Sequence, residues 1–589
     1  MKWDLNHIFK NEKDFDKLFK ELKNEITLFE KFKGKLSEAS VLETYFQDYE
    51  NYVMKLYRVI AYVHRKSDLN LKDLEADTKR KECEFLYQEL NEILSFVEPE
   101  LLQLPLKKYQ EFSKKYKLIK NNLFSLEKLF KNQKHIFDGN TERLLAIYSP
   151  VSSAYSCDNL YTAISVMDPV NPVVTLSDKE NVTVTPGNWS ALIENSKTEN
   201  DRKIIFEALY EKYDKNKNTY AAIYEKILKA NKADTKARGY DSFLEKYLES
   251  NQIPASVFLT LVDVARNNNS DVKRYQELKK NYLGLSQYHT YDRFLTMGKI
   301  DRKFTYEEGK ALFFRSLEGM NEDFVSKQKQ ALAEGFVDVF EHDGKQTGAY
   351  SASFHGLHPY ILLNHADTLN DCFTIAHEAG HSAHSLFSEE TQDFFNSSYT
   401  IFVAEIASTF NEHLLLDQLI KETSSKEEKI ALLERAIENI LGTFYRQTLF
   451  ANYEYEANKL TEQDIPINAE VLSKIMTDLY LEYYGIDLSK ENLKHLVWCY
   501  IPHFFYTPFY VYQYATSFAA SLKIYQNIKE NKANAFEDYL SLLKSGGSDY
   551  PVTQTKKAGA DLTDKETFLS VVNRLKSLVD ELEILLKEK

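Results

Sequence analysis

The chain has 589 residues, 43% of them hydrophobic and 28% charged, which is the composition of an ordinary globular protein. Its 18 glycines and 12 prolines are too few for a disordered chain or for an all-β fold with many hairpins. A net charge of −14 gives no sign of the basic surface that binds nucleic acid, so no nucleic-acid partner is expected.

The cysteines and the first residues of the chain indicate the cellular compartment in which the protein is expected. Cys83, Cys157, Cys372 and Cys499 are far apart and form no CxxC pair, so neither a disulfide framework nor a thiolate zinc site is expected. The opening segment MKWDLNHIFKNEKDFDKLF is charged throughout and lacks the apolar core of a signal peptide. These features predict a cytoplasmic protein.

Helical periodicity dominates the first third of the chain. From about residue 10 to 135, apolar residues recur every three or four positions with polar residues between them. Prolines and a run of β-branched residues interrupt this pattern within 166–189. We place a boundary there, between an N-terminal helical region, 1–189, and a catalytic region, 190–589.

The segment 166–189 is expected to be a loop or a small strand excursion, and the one clear β signal lies in the middle of the chain. Residues 336–340 alternate between apolar and polar, 342–345 have the composition of a turn, and a second strand leads to Tyr350, which predicts a hairpin. A third strand is predicted for 358–364. We expect this third strand to pair with the backbone of an extended ligand, with Tyr360, Leu362 and Asn364 as the binding residues. The fold class is therefore mainly α, with one small β-sheet.

One long uncharged stretch is a candidate for a transmembrane helix. Residues 495–522 contain no Asp, Glu, Lys or Arg, and they are long enough to span a bilayer. The same stretch also carries His503, Pro508, Gln513 and five tyrosines. Because so many polar groups fit a segment that lines a cavity better than a lipid-facing helix, no membrane association is expected.

The strongest chemical signal is His377-Glu378-Ala-Gly-His381 within an apolar helical pattern. Two histidines four residues apart project from one face of a helix and can bind one Zn²⁺. Glu378 lies on a neighbouring face, where it can act as general base on a metal-bound water. The helix is predicted to begin with Asn370 or Asp371 as its N-cap.

A catalytic zinc needs a third protein ligand. The histidine-containing continuation found in metzincins is absent, so a glutamate from a following helix is expected. Glu405 lies in an apolar helical segment, where a charged residue requires a partner that zinc would supply. Glu412 is two turns further on the same face and is expected to accept a hydrogen bond from a ligand imidazole. The alternative, with Glu412 as the ligand, stays open at this point.

Several motifs in chain order resemble one known family. HEAGH, the later AEIASTFNE, GFVDVFEHDGKQTGAYS, HPYILLNH, HFFYTPFYVYQYATS and LKSGGSDYP are similar to the oligoendopeptidase F branch of the thimet-oligopeptidase-like metallopeptidases. The resemblance runs from about residue 190 to 570. It implies a nearly all-helical, two-lobed body with a deep channel, zinc at the channel floor, and internal cleavage of short unstructured oligopeptides.

The aromatic run follows the zinc motif by more than a hundred residues. A helix with Thr507 as N-cap and proline at its first position would put Tyr510 and Tyr514 on one face and Tyr512 on another. It would leave His503 and Tyr506 in the preceding loop. The resemblance implies that His and Tyr groups here stabilise an oxyanion. Spacing does not decide which tyrosine does so.

Two other functions compete with a zinc endopeptidase. A carboxypeptidase or dipeptidase on the same scaffold would need a cationic pocket for a free C-terminus. A peptide-binding protein could keep zinc without turnover, but it would have no use for Glu378 as a base. The sequence leaves open whether the chain is a monomer or a homo-oligomer.

Overall fold

A computed structural model describes residues 2–300 and 302–588 and confirms the mainly helical fold. The N-terminal helices are α1 Glu12–Glu25, α2 Ala39–Leu69, α3 Leu74–Leu94, α4 Val97–Leu101, α5 Leu106–Phe112, α6 Lys117–Asn121, α7 Leu123–Lys131, α8 Gly139–Ser152 and α9 Asp158–Thr162. The next helices are α10 Trp189–Glu194, α11 Glu199–Ala237, α12 Phe243–Glu249, α13 Ala255–Asn267, α14 Ser270–Tyr282, α15 Tyr306–Ser316 and α16 Glu322–Ala331.

The C-terminal helices complete the body. They are α17 Leu369–Thr391, α18 Ile401–Glu422, α19 Lys426–Ile440, α20 Arg446–Glu462, α21 Ala469–Tyr484, α22 Val497–Tyr500, α23 His503–Tyr506, α24 Tyr512–Lys529, α25 Ala535–Lys544, α26 Pro551–Lys557 and α27 Lys565–Lys587. Short 3-10 helices cover Leu5–His7, Ile26–Phe32, Gln133–His135, Ala154–Cys157, Thr290–Phe294, Leu488–Lys490 and Lys494–Leu496, and π-helical turns cover Ala163–Met167 and Leu441–Tyr445. Within the described residues, no helix is both long and apolar enough to cross a membrane.

The described residues form two small sheets. The strands are β1 Val173–Thr175, β2 Asn181–Thr183, β3 Val337–Asp338, β4 Tyr350–Phe354 and β5 Leu357–Leu362. β1 and β2 pair antiparallel. The second sheet has the order β3-β5-β4, with β3 parallel and β4 antiparallel to β5. It packs against α17.

The predicted hairpin between 336–340 and the strand ending at Tyr350 is wrong. The turn around Gly344 forms, but the backbone beyond it bonds elsewhere. The carbonyl of Gly344 accepts from Leu71, 2.7 Å, and the Gln346 N–H donates to Asp68, 2.8 Å. Since these residues join α2 to α3, the segment is tied to the N-terminal helices, and β4 makes its hairpin with β5.

β5 lies between two hydrophobic cores and alternates between them. Tyr360 and Leu362 belong to the core of the N-terminal helices, which otherwise runs from Trp3 to Leu126 with one later phenylalanine. Ile361 and Leu363 belong to the C-terminal core. Because successive side chains of a strand point to opposite faces, one strand joins the two halves of the molecule. The C-terminal core begins at residue 154, so the division at residue 189 stays a prediction.

The expectation that β5 binds a ligand is wrong. Tyr360 and Leu362 are 1% and 0% exposed. The Asn364 side-chain Nδ2 donates to the carbonyls of Gln346, 2.9 Å, and Gly348, 2.7 Å. As the central strand, β5 already has a hydrogen-bonded neighbour on each side. β3 and β4 are the two outer strands of this sheet, and β4 is the longer of them. On β4, the Ala352 carbonyl accepts a hydrogen bond from the Arg65 side chain of α2, 2.8 Å.

Candidate active site

The zinc-motif helix α17 begins earlier than predicted. Thr368 is its N-cap, in place of Asn370 or Asp371, and forms a capping box with Asp371. The Thr368 hydroxyl accepts from the Asp371 N–H, 3.3 Å, while the Asp371 carboxylate accepts from the Thr368 N–H, 2.9 Å. The sequence T-x-x-D carries this signal, since the two ends satisfy each other's backbone groups.

Gly380 sets how closely α17 and α18 approach. A Cβ atom at this position would lie 2.6 Å from the Ala407 carbonyl oxygen and 2.6 Å from the Ser408 Cα. Side-chain Cβ atoms do not tolerate such distances to backbone atoms, so glycine is required where the helices touch. This contact brings Glu405 of α18 against His381 of α17.

We expect Gly380→Ala to push the two helices apart. Overpacking of this kind lowers the free energy of unfolding by about 1–3 kcal/mol, and it should also weaken zinc binding because the ligands move. Thermal unfolding and a zinc-competition titration measure the two effects. Gly442→Ala is the matched control, because a Cβ there meets nothing within 4 Å. Unchanged zinc affinity in Gly380→Ala would contradict this role.

Three side-chain atoms converge between α17 and α18. The Nε2 atoms of His377 and His381 are 3.2 Å apart. Glu405 Oε2 lies 3.3 Å from the first and 3.4 Å from the second. Among the described residues, this is the group of histidine, cysteine and acidic side chains that could hold a metal ion. The three atoms form a nearly equilateral triangle.

The triangle has the dimensions of a zinc site. Tetrahedral zinc with metal–ligand distances of about 2.0–2.1 Å holds its ligand atoms roughly 3.3–3.4 Å apart. The pKa of His377 is raised well above its ordinary value, because burial, which lowers it, is outweighed by Glu405 and Glu412. The two carboxylates thus supply the negative charge that a divalent cation needs.

Glu412 contacts the opposite edge of the His377 ring. Its Oε1 lies 2.6 Å from His377 Nδ1, and its Oε2 accepts from Asn439 Nδ2, 3.2 Å. An Nδ1–H that donates to a carboxylate leaves Nε2 as a lone pair aimed at the triangle. This geometry is that of a group that orients the imidazole, and it disfavours Glu412 as the ligand.

Glu378 is almost completely buried, at 5% exposure, beside this triangle. Its Oε2 makes no hydrogen bond with the described residues. Burial raises the pKa of this carboxyl, and the Glu405 and Glu412 charges add to the effect, while the two histidines oppose it. A carboxylate with a free oxygen and a raised pKa is suited to accept a proton.

The aromatic run is arranged differently from the prediction. α24 begins at Tyr512, so the predicted start at Thr507 is wrong and Tyr510 precedes the helix. His503 nevertheless packs against both Tyr510 and Tyr514, with ring centroids 6.2 and 6.0 Å apart. Burial raises the pKa of both tyrosines. A hydrogen bond with Tyr514 opposes the rise at Tyr510, Tyr510 adds to the rise at Tyr514, and the Glu405 charge makes a smaller contribution to each.

The other two tyrosines point elsewhere. Tyr512 is 3% exposed and packs on Phe402 and Phe509. The Tyr506 hydroxyl lies 2.9 Å from Thr162 Oγ1, and its ring packs edge-on against a tyrosine of α9. Tyr506 is thus outside the cluster of His503, Tyr510 and Tyr514.

A buried glutamate that the sequence analysis missed holds the loop before α24. Glu454 is 1% exposed, and its Oε1 accepts from the Phe509 N–H, 2.7 Å. Phe509 has φ +59°, a conformation that side chains other than glycine rarely adopt. The pKa of Glu454 is raised to about 8 by burial. Pro508 suggested a helix start here, but no sequence signal indicated a left-handed residue just beyond it.

Comparisons with known proteins assign the class and then the family. A helical scaffold with this histidine, histidine and glutamate triangle is that of a metallopeptidase. Residues 192–574 match peptidase family M3, and residues 100–161 match a family described as oligopeptidase F. The chain therefore belongs to peptidase family M3 and is a metalloendopeptidase. The oligoendopeptidase F resemblance inferred from the motifs is confirmed.

Individual relatives extend over the whole chain. The oligopeptidase PepF of Bacillus subtilis is 32% identical over 586 residues, covering 99% of this chain and 87% of the relative. An oligoendopeptidase F homologue of Borreliella burgdorferi is 32% identical, covering 99% and 97%. Two solved structures share the fold: a peptidase from Chlamydophila abortus with TM-score 0.85, 31% identity and coverage of 99% and 98%, and oligoendopeptidase F from Enterococcus faecium with TM-score 0.78, 28% identity and coverage of 98% and 100%.

Proposed function

We propose that the protein is a zinc-dependent endopeptidase that hydrolyses internal bonds of short, unstructured oligopeptides. One Zn²⁺ per chain would be held by His377, His381 and Glu405. The observation that carries the proposal is the triangle of three ligand atoms separated by 3.2–3.4 Å. Membership of peptidase family M3 supports the peptide substrate.

The chain's own residues supply the proton transfers. Zinc, when bound, supplies Lewis-acid chemistry that polarises a carbonyl and lowers the pKa of water towards 7. Glu378 takes the proton of the attacking water and delivers it to the leaving amine. Its unbonded Oε2 and raised pKa support this role. Glu412 keeps the His377 imidazole in the tautomer that presents Nε2.

His503, Tyr510 and Tyr514 are proposed to stabilise the negative oxygen of the tetrahedral intermediate. Burial lowers the pKa of His503, so its ring is neutral and still donates one N–H at neutral pH. Donors that meet an oxyanion only in the transition state accelerate the reaction without tightening substrate binding. Tyr506 is left out because its hydroxyl is engaged with Thr162.

We expect Tyr510→Phe to lower kcat by about 10²–10³-fold with little change in KM, the usual cost of losing one oxyanion donor. The ring and its packing are kept, so folding and zinc content should survive. Tyr512→Phe is the matched control and should be close to neutral, since that ring packs in the C-terminal core. Steady-state kinetics on one quenched-fluorescence peptide would show the difference. A crippled Tyr512→Phe beside a normal Tyr510→Phe would contradict the assignment.

We propose that substrate backbone pairs with β4 instead of β5. β4 is the longer of the two outer strands of its sheet, and its serines contact α17 close to the zinc motif. Ser351 Oγ lies 2.8 Å from Ser382 Oγ, and Ser353 Oγ lies 2.9 Å from Ser385 Oγ. Ser382 follows His381 directly, so a peptide added to β4 would run beside the metal ligands.

A carboxypeptidase or dipeptidase is the competing activity. Peptides with acetylated N-termini and amidated C-termini separate it from an endopeptidase, because the competing enzymes need a free end. We expect cleavage of the doubly blocked peptide at an internal bond, together with loss of cleavage after chelation. Release of single residues or dipeptides from free peptides alone would favour the competing activity.

We also propose a cytoplasmic location and a functional division near residue 189, with the substrate channel between the two cores. Within the described chain, all four cysteines are buried and unpaired, which supports a reducing compartment. The two family matches leave a gap at 162–191, which supports the division.

A further inference from the structure

A cavity with a mixed polar and aromatic lining adjoins the proposed catalytic residues. Its volume is about 650 Å³, and Pro502 and His503 form part of its wall. Another part of the wall is Thr443, in the π-helical turn before α20. Sites for small ligands have volumes of about 300–1,000 Å³, so a few residues of a peptide fit here.

Hydrogen bonds join this cavity to the metal site. Thr443 Oγ1 donates to Asn439 Oδ1, 3.0 Å, and Asn439 Nδ2 donates to Glu412 Oε2, 3.2 Å. Glu412 in turn holds His377. On the opposite side, His503 borders the cavity and packs against Tyr510. The cavity therefore lies directly beside the reacting groups.

Two arginines in the wall have no acidic partner among residues 2–300 and 302–588. Arg293 and Arg446 are half-buried, and their side chains form no ion pair or hydrogen bond within that part of the chain. Their guanidinium groups lie over aromatic rings, 4.4 Å from Phe294 and 5.0 Å from Phe450. Arginine on an aromatic ring keeps its donors directed outward for a planar acceptor.

The acid in the cavity wall does not neutralise these arginines. Glu438 accepts from Lys279 Nζ, 2.8 Å, and from the Tyr275 hydroxyl, 2.7 Å. Lys279 is buried and is shared with Glu434, 3.0 Å away. Lys279, Glu434 and Glu438 together carry one net negative charge, against two positive charges on Arg293 and Arg446, and within the described residues no ion pair joins Glu438 to either arginine.

We propose that this cavity binds a carboxylate of the peptide substrate through Arg446 and Arg293. Half-buried guanidinium groups pair well with carboxylates because two parallel hydrogen bonds match the planar acceptor. The carboxylate comes either from the free C-terminus of an oligopeptide or from an acidic side chain. This inference rests on the proposed endopeptidase function and adds a preference to it: a bond is cut at a set distance from a carboxylate.

The test compares kcat/KM for matched quenched-fluorescence peptides. One pair differs only in a C-terminal acid or amide, and a second, amidated pair differs in Glu or Gln near the C-terminus. A charge-assisted hydrogen bond of this kind changes kcat/KM by roughly tenfold or more. We expect the wild-type protein to cleave the carboxylate-containing peptide faster in at least one pair. A preference in the first pair identifies the free C-terminus as the bound group, and a preference in the second pair identifies the acidic side chain. Equal rates in both pairs would overturn the proposal without any variant.

Variants of the two arginines then test whether they cause the preference for carboxylate-containing peptides. Arg446→Gln and Arg293→Gln should each reduce the ratio of kcat/KM between the charged and the neutral peptide of a pair, and the double variant should bring this ratio to within about twofold of unity. Arg143→Gln, on a side chain that is 59% exposed and distant in sequence from this cavity, is the matched control and should keep the preference. A preference that survives in the double variant would overturn the proposal.

Cleavage of the neutral peptides distinguishes failure of the carboxylate-binding proposal from failure of the proposed endopeptidase function. If wild-type protein cleaves them in a chelator-sensitive manner but shows no carboxylate preference, the endopeptidase stands and the cavity assignment fails. If it cleaves neither the neutral nor the charged peptides, both fail.

Discussion

Glu378→Gln is expected to bind zinc as the wild-type protein does and to cleave peptides about 10²–10⁴-fold more slowly, the usual contribution of a general base. The change replaces one carboxylate oxygen by an amide of the same shape and removes only the ability to take a proton. Since Glu378 contributes none of the three converging ligand atoms, the candidate metal site should remain intact.

Metal analysis and single-substrate kinetics on the same preparation measure both halves of this expectation. Glu390→Gln is the control on the same helix, because its side chain is 58% exposed and pairs with Lys327 at 2.7 Å. That variant should retain full activity. Glu378→Gln with activity within tenfold of wild type would remove Glu378 from the role of base.

Glu405→Ala is expected to lose both zinc and activity. Its Oε2 is one corner of the triangle, and it also accepts a hydrogen bond from Ser408 Oγ, 3.0 Å, which fixes its direction. Two histidines alone leave the metal with too few ligands to compete with buffer and water. Activity should fall to background because no Lewis acid remains in the site.

Glu412→Ala is the informative comparison for the ligand assignment. Loss of a group that orients an imidazole typically weakens metal binding by about 10–100-fold, so this variant should still fill with zinc when zinc is in excess. Full zinc occupancy in Glu405→Ala, together with its loss in Glu412→Ala, would transfer the ligand role to Glu412.

The two histidines of the candidate metal site could be named from the sequence because they depend on local spacing. Residues four apart on a helix share a face, so His377 and His381 follow from the sequence once α17 is recognised. Glu405 was proposed from the cost of burying a lone charge, and its Oε2 lies 3.3 and 3.4 Å from the two histidine nitrogens. Asn439 and the approach at Gly380 could not be predicted, since both depend on how separate helices pack.

The segment that follows Gly344 and the start of α24 could not be predicted from local sequence. The turn at Gly344 was recognised, but the partner of the following backbone is the α2–α3 connection, which is far away in sequence. Pro508 favours a helix start, yet the left-handed Phe509, held by Glu454, delays α24 to Tyr512. In both places a long-range contact overrides the local preference.

The most direct test of zinc-dependent endopeptidase activity is mass spectrometry of a mixed peptide library after digestion. The library is digested by the native protein, by protein treated with a chelator, and by chelator-treated protein supplied with zinc. We expect cuts at internal bonds of short peptides, their loss on chelation, and their return with zinc at the same bonds. Internal cleavage that continues unchanged after complete removal of metal would contradict this expectation.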